Sequence, residues 1–242
     1  MVCLCGDTHI GQKRPSNQDV FLAETIGDSA LMVVCDGMGG AQGGETASRL
    51  ALETACNMIK RDIKDGMSET TIQRILECAV AAANSVVYET ASLDPLLKGM
   101  GTTITAAVVQ NDTAHFVHIG DSRAYLLRDD IITQLTVDHT VAQMLIDSGR
   151  KTAEEMVGDP RNNSLMRAVG VQPEMRSDIF SIDVVKGDVV LLCSDGLYNY
   201  ITHAELSALT AIAAKVKSVA PLIDRANENG GGDNITAVLC VI

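Results

Sequence analysis

Leu31-Met32-Val33-Val34-Cys35-Asp36-Gly37-Met38-Gly39-Gly40 passes from an unbroken apolar run into a single carboxylate and then into glycine. A short apolar run closed by turn residues predicts a buried strand, Ala30 to Cys35, with Asp36 at its end. The glycines let the backbone turn sharply and bring a carbonyl, that of Gly37, beside the carboxylate, a pairing that suits a hard cation. Taken alone, Asp-Gly after a strand is also an ordinary turn signal. The rest of the chain has to decide between the two.

Strand-like runs recur at Val20 to Ala23, Thr102 to Val109, Ala114 to His118, Ala124 to Leu127 and Val189 to Cys193, and Ile235 to Ile242 predicts a buried closing strand. Between Cys35 and Thr102 lie two helical patterns, Gly44 to Lys60 and Ser68 to Thr90, joined at Asp65-Gly66. In the first, Ala47, Leu50, Ala51, Thr54 and Met58 recur at helical spacing while Arg49, Glu53 and Lys60 lie elsewhere on the wheel, so one face packs and the other is solvated. Later helices are predicted at His203 to Ala213 and at Val219 to Asn229, the latter with Pro221 in its first turn and Gly230 to Gly232 as its stop. This order suits an α+β sandwich and disfavours a doubly wound nucleotide fold. The polar stretch Asp138 to Asn163, with Gly149, Gly158 and Pro160, exceeds the usual connection and predicts one helix at Val141 to Asp147.

The 242 residues, 46% hydrophobic, are enough for one large domain, taken as 1–242. No apolar stretch is long enough for a membrane helix and no secretion signal opens the chain, which predicts a soluble protein. A formal charge of -12 repels nucleic acid and anionic membrane surfaces, so neither is expected as a partner. Seven scattered cysteines, Cys35 and Cys193 among them in apolar runs, predict reduced buried thiols and a cytoplasmic setting. Cys3 and Cys5 form a C-x-C pair with no second Cys/His pair at zinc-site spacing, and read as small apolar strand residues.

The Asp-Gly arrangement repeats. Asp195 follows Val189 to Cys193 and precedes Gly196; Asp121 lies in Gly120-Asp121-Ser122-Arg123 after the run ending at Ile119; Asp233 precedes Asn234 and the closing strand. Aspartates at separate strand ends are how an oxygen-only site for Mg²⁺ or Mn²⁺ is assembled. Near the start, Arg14-Pro15-Ser16-Asn17-Gln18-Asp19 offers a guanidinium able to fork two phosphate oxygens and a carboxylate just before a strand.

Taken in order, R-x-x-N-Q-D, D-G-M-G-G, G-D-S-R, S-D-G and G-G-D-N resemble the motifs of the metal-dependent protein serine/threonine phosphatases of type 2C, with the D-G-M-G-G form resembling the bacterial branch. The resemblance runs from Arg14 to Thr236. It implies an αββα sandwich of two antiparallel sheets flanked by helix pairs, with two or three Mn²⁺ or Mg²⁺ ions in a cleft at one end. By similarity, Asp36 bridges two ions, the Gly37 carbonyl binds the second, Asp195 and Asp233 bind the first, and Asp121 with Asp195 forms a third position. Asp36, Asp195 and Asp233 thereby carry catalysis through a metal-activated water. Arg14 matches the phosphate-binding arginine, and Asp19 is expected near the second ion, as ligand or through water. Two departures stand out: Gln18 occupies a position where the family often has Glu, and Met38 stands where animal members carry a general-acid His. His139 matches a common segment beside the flap, about 138–165, with structural, substrate-contact and proton-transfer roles all open.

Such a site hydrolyses phosphomonoesters by direct attack of water, since two divalent ions stabilise attacking and leaving oxygens together and make the water acidic enough to ionise near neutral pH. Their four positive charges also balance Asp19, Asp36, Asp195 and Asp233. The implied partners are phosphoprotein substrates and a cognate serine/threonine kinase, and a monomer is expected. The competing readings are a non-catalytic relative that binds partners through the same sandwich, another two-metal hydrolase such as a nuclease, and a structural α+β protein. Intact aspartates disfavour the first, acidity the second, and the five ordered motifs the third.

Overall fold

Leu31, Val33 and Cys35 point to one side of their strand and Ala30, Met32 and Val34 to the other, and both sides are buried. Side chains of a strand alternate between its faces, so a continuous apolar run requires cover on both. The computed structural model, which describes residues 2–156, 159, 161 and 164–242, supplies that cover as four layers.

In chain order the elements are β1 (Cys3–His9), β2 (Asp19–Ile26), β3 (Ser29–Met38), α1 (Gly40–Asp62), α2 (Glu69–Leu93), β4 (Gly101–Thr102), β5 (Ile104–Gln110), β6 (Thr113–Ile119), β7 (Arg123–Arg128) and β8 (Ile131–Gln134). The flap region carries α3 (Val141–Asp147) and α4 (Ala153–Met156); then come β9 (Asp178–Asp183), β10 (Val189–Cys193), α5 (Asp195–Tyr198), α6 (His203–Val216), α7 (Ala220–Glu228) and β11 (Ile235–Val241). Gly158, Pro160 and Asn163 of the predicted flap lie outside the described residues. Among those described, the strands form two antiparallel sheets, ordered β1-β11-β10-β7-β8 and β2-β3-β5-β6-β9, with β4 paired to the end of β3.

Three apolar clusters separate the layers. One face of β3, β5 and β6 packs on α1 and α2 through Leu31, Val33, Ala51, Ile59, Leu76 and Ile104. The opposite faces of both sheets meet through Met32, Val34, Phe116, Val190, Leu192 and Val238. The outer face of β10 and β11 packs on α6 and α7 through Leu191, Leu239, Leu206 and Leu222. The expected αββα sandwich is the observed architecture.

The helix starts follow local chemistry. Ser68 caps α2 by accepting from Thr71 N, Thr140 caps α3 by accepting from Gln143 N, and Thr202 with Glu205 forms a reciprocal capping box on α6. The predicted strand Thr102 to Val109 is interrupted. Thr103 N donates to Asp36 O at 2.9 Å, but the Thr103 hydroxyl, not its carbonyl, accepts Asp36 N–H, also at 2.9 Å. The ladder breaks there into β4 and β5 while its register continues from Val34↔Thr105 to Gly37↔Thr102.

Candidate active site

The predicted residues come from both sheets and meet at one end of the sandwich. Antiparallel pairing sets Asp19 at the start of β2 opposite Asp36 near the end of β3. Asp121 lies in the turn between β6 and β7, Asp195 opens α5 directly after β10, and Asp233 precedes β11. A cleft of about 430 Å³ is lined by Arg14, Gln18, Asp36, Gly37, Asp121, Asp195 and Asp233, with Met38 and Leu165 on its wall. Asp19, opposite Asp36 in the ladder, is buried and does not itself line the cleft.

Backbone contacts account for the glycine at position 37. A Cβ there would lie 2.1 Å from Gly44 O and 2.8 Å from Gln18 O. Only a residue without a side chain lets the start of α1 and the Gln18 strand entry approach Asp36 this closely. The Gln18 amide contributes by donating to Gly40 O at 2.7 Å, so this residue braces the glycine turn.

Asp19 is the most constrained carboxylate. Its Oδ2 accepts from Ser194 Oγ and Thr236 Oγ1, each at 2.7 Å, whereas Oδ1 is buried with no hydrogen-bond partner. Burial pushes its pKa up to about 6, against the pull of the two hydroxyls. Asp36 feels the charges of both Asp19 and Asp195. Burial, and then the charge of Asp19, raises the Asp36 carboxyl well above the usual range. Burial followed by the fields of Asp121 and Asp233 pushes Asp195 up to about 8, and burial with nearby Asp138 pushes Asp121 up to about 6. The cleft therefore concentrates more negative charge than its own cations offset.

Arg14 is the nearby cation. Its Nη2 holds Asp233 Oδ2 at 2.6 Å, and both side chains remain partly exposed. Asp233 Oδ1 accepts from Asn234 N, and the Asn234 side chain stitches Gln18 N, Ile10 O and Ser16 O together. Among the described residues, no three His, Cys, Asp or Glu side chains converge as a closed cage. Asp233 is turned to Arg14, and Asp195 Oδ2 lies 3.3 Å from Asn199 Nδ2, so these two carboxylates are partly engaged by neighbours. The donor chemistry nevertheless fits hard divalent cations: carboxylates and backbone carbonyls only, in mutual repulsion, with one buried Asp19 oxygen unpartnered.

His139 does not line this cleft. Its ring is buried, with Nδ1 accepting from Gly120 N at 3.1 Å and Nε2 3.0 Å from Asp178 Oδ2. Of the three roles open to it, proton transfer to the cleft has no geometric basis.

Residues 5–240 match the family model described as Protein phosphatase 2C. This chain belongs to that family. The serine/threonine phosphatase Stp of Listeria innocua is 35% identical over 245 residues, covering 96% of this chain and 92% of its own length. The crystal structure of the Mycobacterium tuberculosis serine/threonine phosphatase PstP/Ppp superposes with a TM-score of 0.89 at 34% identity, covering 100% of this chain and 98% of that one. The catalytic domain of PstP in complex with two manganese ions gives 0.85 at 35% identity, covering 100% and 99%.

Several site residues carried no signal in the sequence. Ser194 and Thr236 were visible only as neighbours of Asp195 and Asn234, and Thr103 as one β-branched residue among many. What unites them is a hydroxyl on a strand end that faces a buried carboxylate or its amide, an arrangement only the folded chain creates.

Proposed function

We propose that this cleft hydrolyses phosphoserine and phosphothreonine in proteins with two divalent cations, Mn²⁺ or Mg²⁺, and a third where Asp121 faces Asp195, reversing a serine/threonine kinase. The observation that carries the reading is the gathering of Asp36, Asp121, Asp195 and Asp233 around one cleft that also holds an arginine, with Asp19 buried opposite Asp36 in the β2–β3 ladder. Asp36 would bridge two ions, with the Gly37 carbonyl and Asp19 on one side and Asp195 and Asp233 on the other. When bound, the ions supply Lewis acidity, offsetting the carboxylate charge and making a water acidic enough to serve as nucleophile near neutral pH.

The chain's own residues do the rest. Arg14 presents a fork suited to two oxygens of a phosphate dianion and exchanges its bond to Asp233 for that ligand, which frees the carboxylate. Ser194 and Thr236 hold Asp19 with one oxygen bound and the other free. Thr103 locks the backbone of Asp36. Ser16 and Thr103 are the hydroxyl side chains on the cleft, and the ring of His139 is directed elsewhere, which supports attack by water over a covalent phosphoenzyme. The proposed substrates are cytoplasmic phosphoproteins, met by a monomer; separately, no helix among the described residues is long and apolar enough to cross a membrane.

The test is release of phosphate from a phosphothreonine peptide and from p-nitrophenyl phosphate with Mn²⁺, with Mg²⁺ and with chelator, for wild type, Asp36→Asn and Asp233→Asn. Turnover that needs metal and is lost in both variants supports the reading. A wild type that binds Mn²⁺ yet frees no phosphate refutes it in favour of a partner-binding role.

A further inference from the structure

His139 does not line the cleft, yet its hydrogen-bond partners Gly120 and Met166 are the chain neighbours of the lining residues Asp121 and Leu165. Its backbone N donates to Gly120 O at 2.8 Å while its Nδ1 accepts from Gly120 N at 3.1 Å, so one residue grips both polar atoms of the glycine before Asp121. That glycine has φ 110, and a Cβ on it would lie 2.5 Å from Thr103 Cγ2, so the turn has little alternative geometry. On its other side, His139 O accepts from Met166 N at 2.8 Å, Thr140 bridges to Leu165, and Val141 N donates to Ser164 O at 2.8 Å. Leu165 is the cleft-wall residue contributed by the flap's return.

The partners fix the tautomer. An N–H from Gly120 requires Nδ1 to be an acceptor, which leaves the proton on Nε2 to donate to Asp178 Oδ2 at 3.0 Å. Arg167 Nη1 lies 3.1 Å from Nε2 but, being a donor, finds its acceptor in Asp178 Oδ1 at 2.9 Å. The Asp121 carbonyl is held from the far side by Tyr198 Oη at 3.0 Å. The Tyr198 ring carries the Arg123 guanidinium at 3.6 Å, and Arg123 grips Asp138, next to His139, with two nitrogens.

We infer that His139 is a positioning residue that makes the Asp121 turn and the flap return at Leu165 one mechanical unit, acting through Gly120 and not by contact with substrate. A displacement of the flap then moves an acidic group of the cleft, and a cation held by Asp121 in turn restrains the flap. The part played by a cation rests on the reading of the cleft given above; the coupling of turn to flap does not.

Two isosteric substitutions separate the bonds. His139→Asn keeps an acceptor where Nδ1 lies and loses the donor to Asp178; His139→Gln keeps a donor near Nε2 and loses the acceptor for Gly120 N–H. Amide hydrogen exchange at Gly120 and Met166 is measured on the chelated protein, and Mn²⁺ binding by titration calorimetry. In His139→Asn, Gly120 exchange and the Mn²⁺ isotherm should stay close to wild type. In His139→Gln, Gly120 exchange should quicken and the weakest Mn²⁺ event should weaken, each by about tenfold or more, the scale of lost second-layer support at metal sites. If His139→Gln does not fold, His139→Leu, which fills the ring's place without an acceptor for Gly120 N, takes its place with the same expectation. Equal behaviour of the Asn and Gln variants at Gly120, or wild-type exchange in the Gln variant, overturns the positioning role. A wild type that binds no Mn²⁺ at all sinks the metal reading alone, because the exchange experiment uses neither metal nor substrate.

Discussion

Asp19→Asn should stabilise the protein in chelator and abolish its activity with metal. The substitution keeps the shape: the amide oxygen still accepts from Ser194 and Thr236, and the amide nitrogen falls where Oδ1 lacks a partner, on the strand position opposite Asp36. Folding raises the Asp19 pKa from the ordinary 3.8 up to about 6, chiefly through burial. A carboxyl with a raised pKa favours the fold while protonated, so its support is complete below the unfolded value and lost as pH climbs through the folded one. At about 1.4 kcal/mol per tenfold change in proton activity, the ionised group costs about 3 kcal/mol at neutral pH and nothing near pH 3.5. For a chain of this size that corresponds to about 6–12 °C in melting temperature. The assay is thermal melting of wild type and Asp19→Asn in chelator from pH 4 to pH 8. The difference between the two curves isolates this residue from the other acids, and should grow from near zero to its full value across pH 4–7. Added Mn²⁺ should reverse the ranking. A difference that stays flat with pH, or a variant less stable than wild type at pH 8 in chelator, would refute the reasoning.

Gly37→Ala should destabilise by about 3 kcal/mol or more in urea unfolding, because its Cβ meets backbone at Gly44 and Gln18 and no rotamer relieves that; a loss under 1 kcal/mol would mean that the α1 start yields easily. Arg14→Ala should raise KM for a phosphothreonine peptide by about tenfold or more, with Arg14→Lys recovering only part, since a point charge lacks the fork. Its unfolding free energy should shift by less than about 1 kcal/mol, as the pair with Asp233 is half-exposed. Of the seven thiols, Cys78 is exposed, and Cys35, Cys56, Cys193 and Cys240 are buried with pKa values raised by burial. A thiol reagent should therefore modify Cys78 first and leave phosphatase activity intact; rapid inactivation would contradict the burial of those four.

The parts of the fold legible in the sequence are those whose signal is local. The run from Ala30 to Cys35 reads as a central strand because both of its faces are buried. The helix at Val141–Asp147 falls where predicted because Thr140 caps it. β8 shows no strand pattern in the sequence because only Ile132 of its four residues is buried, and β9 shows none because Asp178, Ser181 and Asp183 interrupt the apolar residues Ile179, Phe180 and Ile182 that pack on its two sides. The first helix begins at Gly40, ahead of the predicted Gly44, in a glycine segment whose poor helix propensity is overridden by packing against β3. For the site, the aspartates announce themselves by sitting beside glycine at strand ends. Their supports do not: Ser194 lies 175 residues from Asp19 and Thr236 lies 217 away, so neither bond has a trace in the local pattern.

The topology explains why an acidic cleft is tolerated at all. Asp19 and Asp36 belong to one sheet, Asp195 and Asp233 to the ends of strands in the other, and Asp121 to the turn that carries the chain between them. Repulsion among these groups acts across the seam between the sheets. It is opposed by the apolar layer behind them, where Met32, Phe116, Val190 and Val238 are fully buried. A charge surplus of a few kcal/mol is sustainable only where such a layer already holds the two halves together. The same surplus gives a divalent cation its affinity, because whatever neutralises the carboxylates relieves a cost already present in the folded chain. Stability without metal and affinity for metal are thus opposite faces of one electrostatic term, and substitutions that improve the first by removing charge should erode the second.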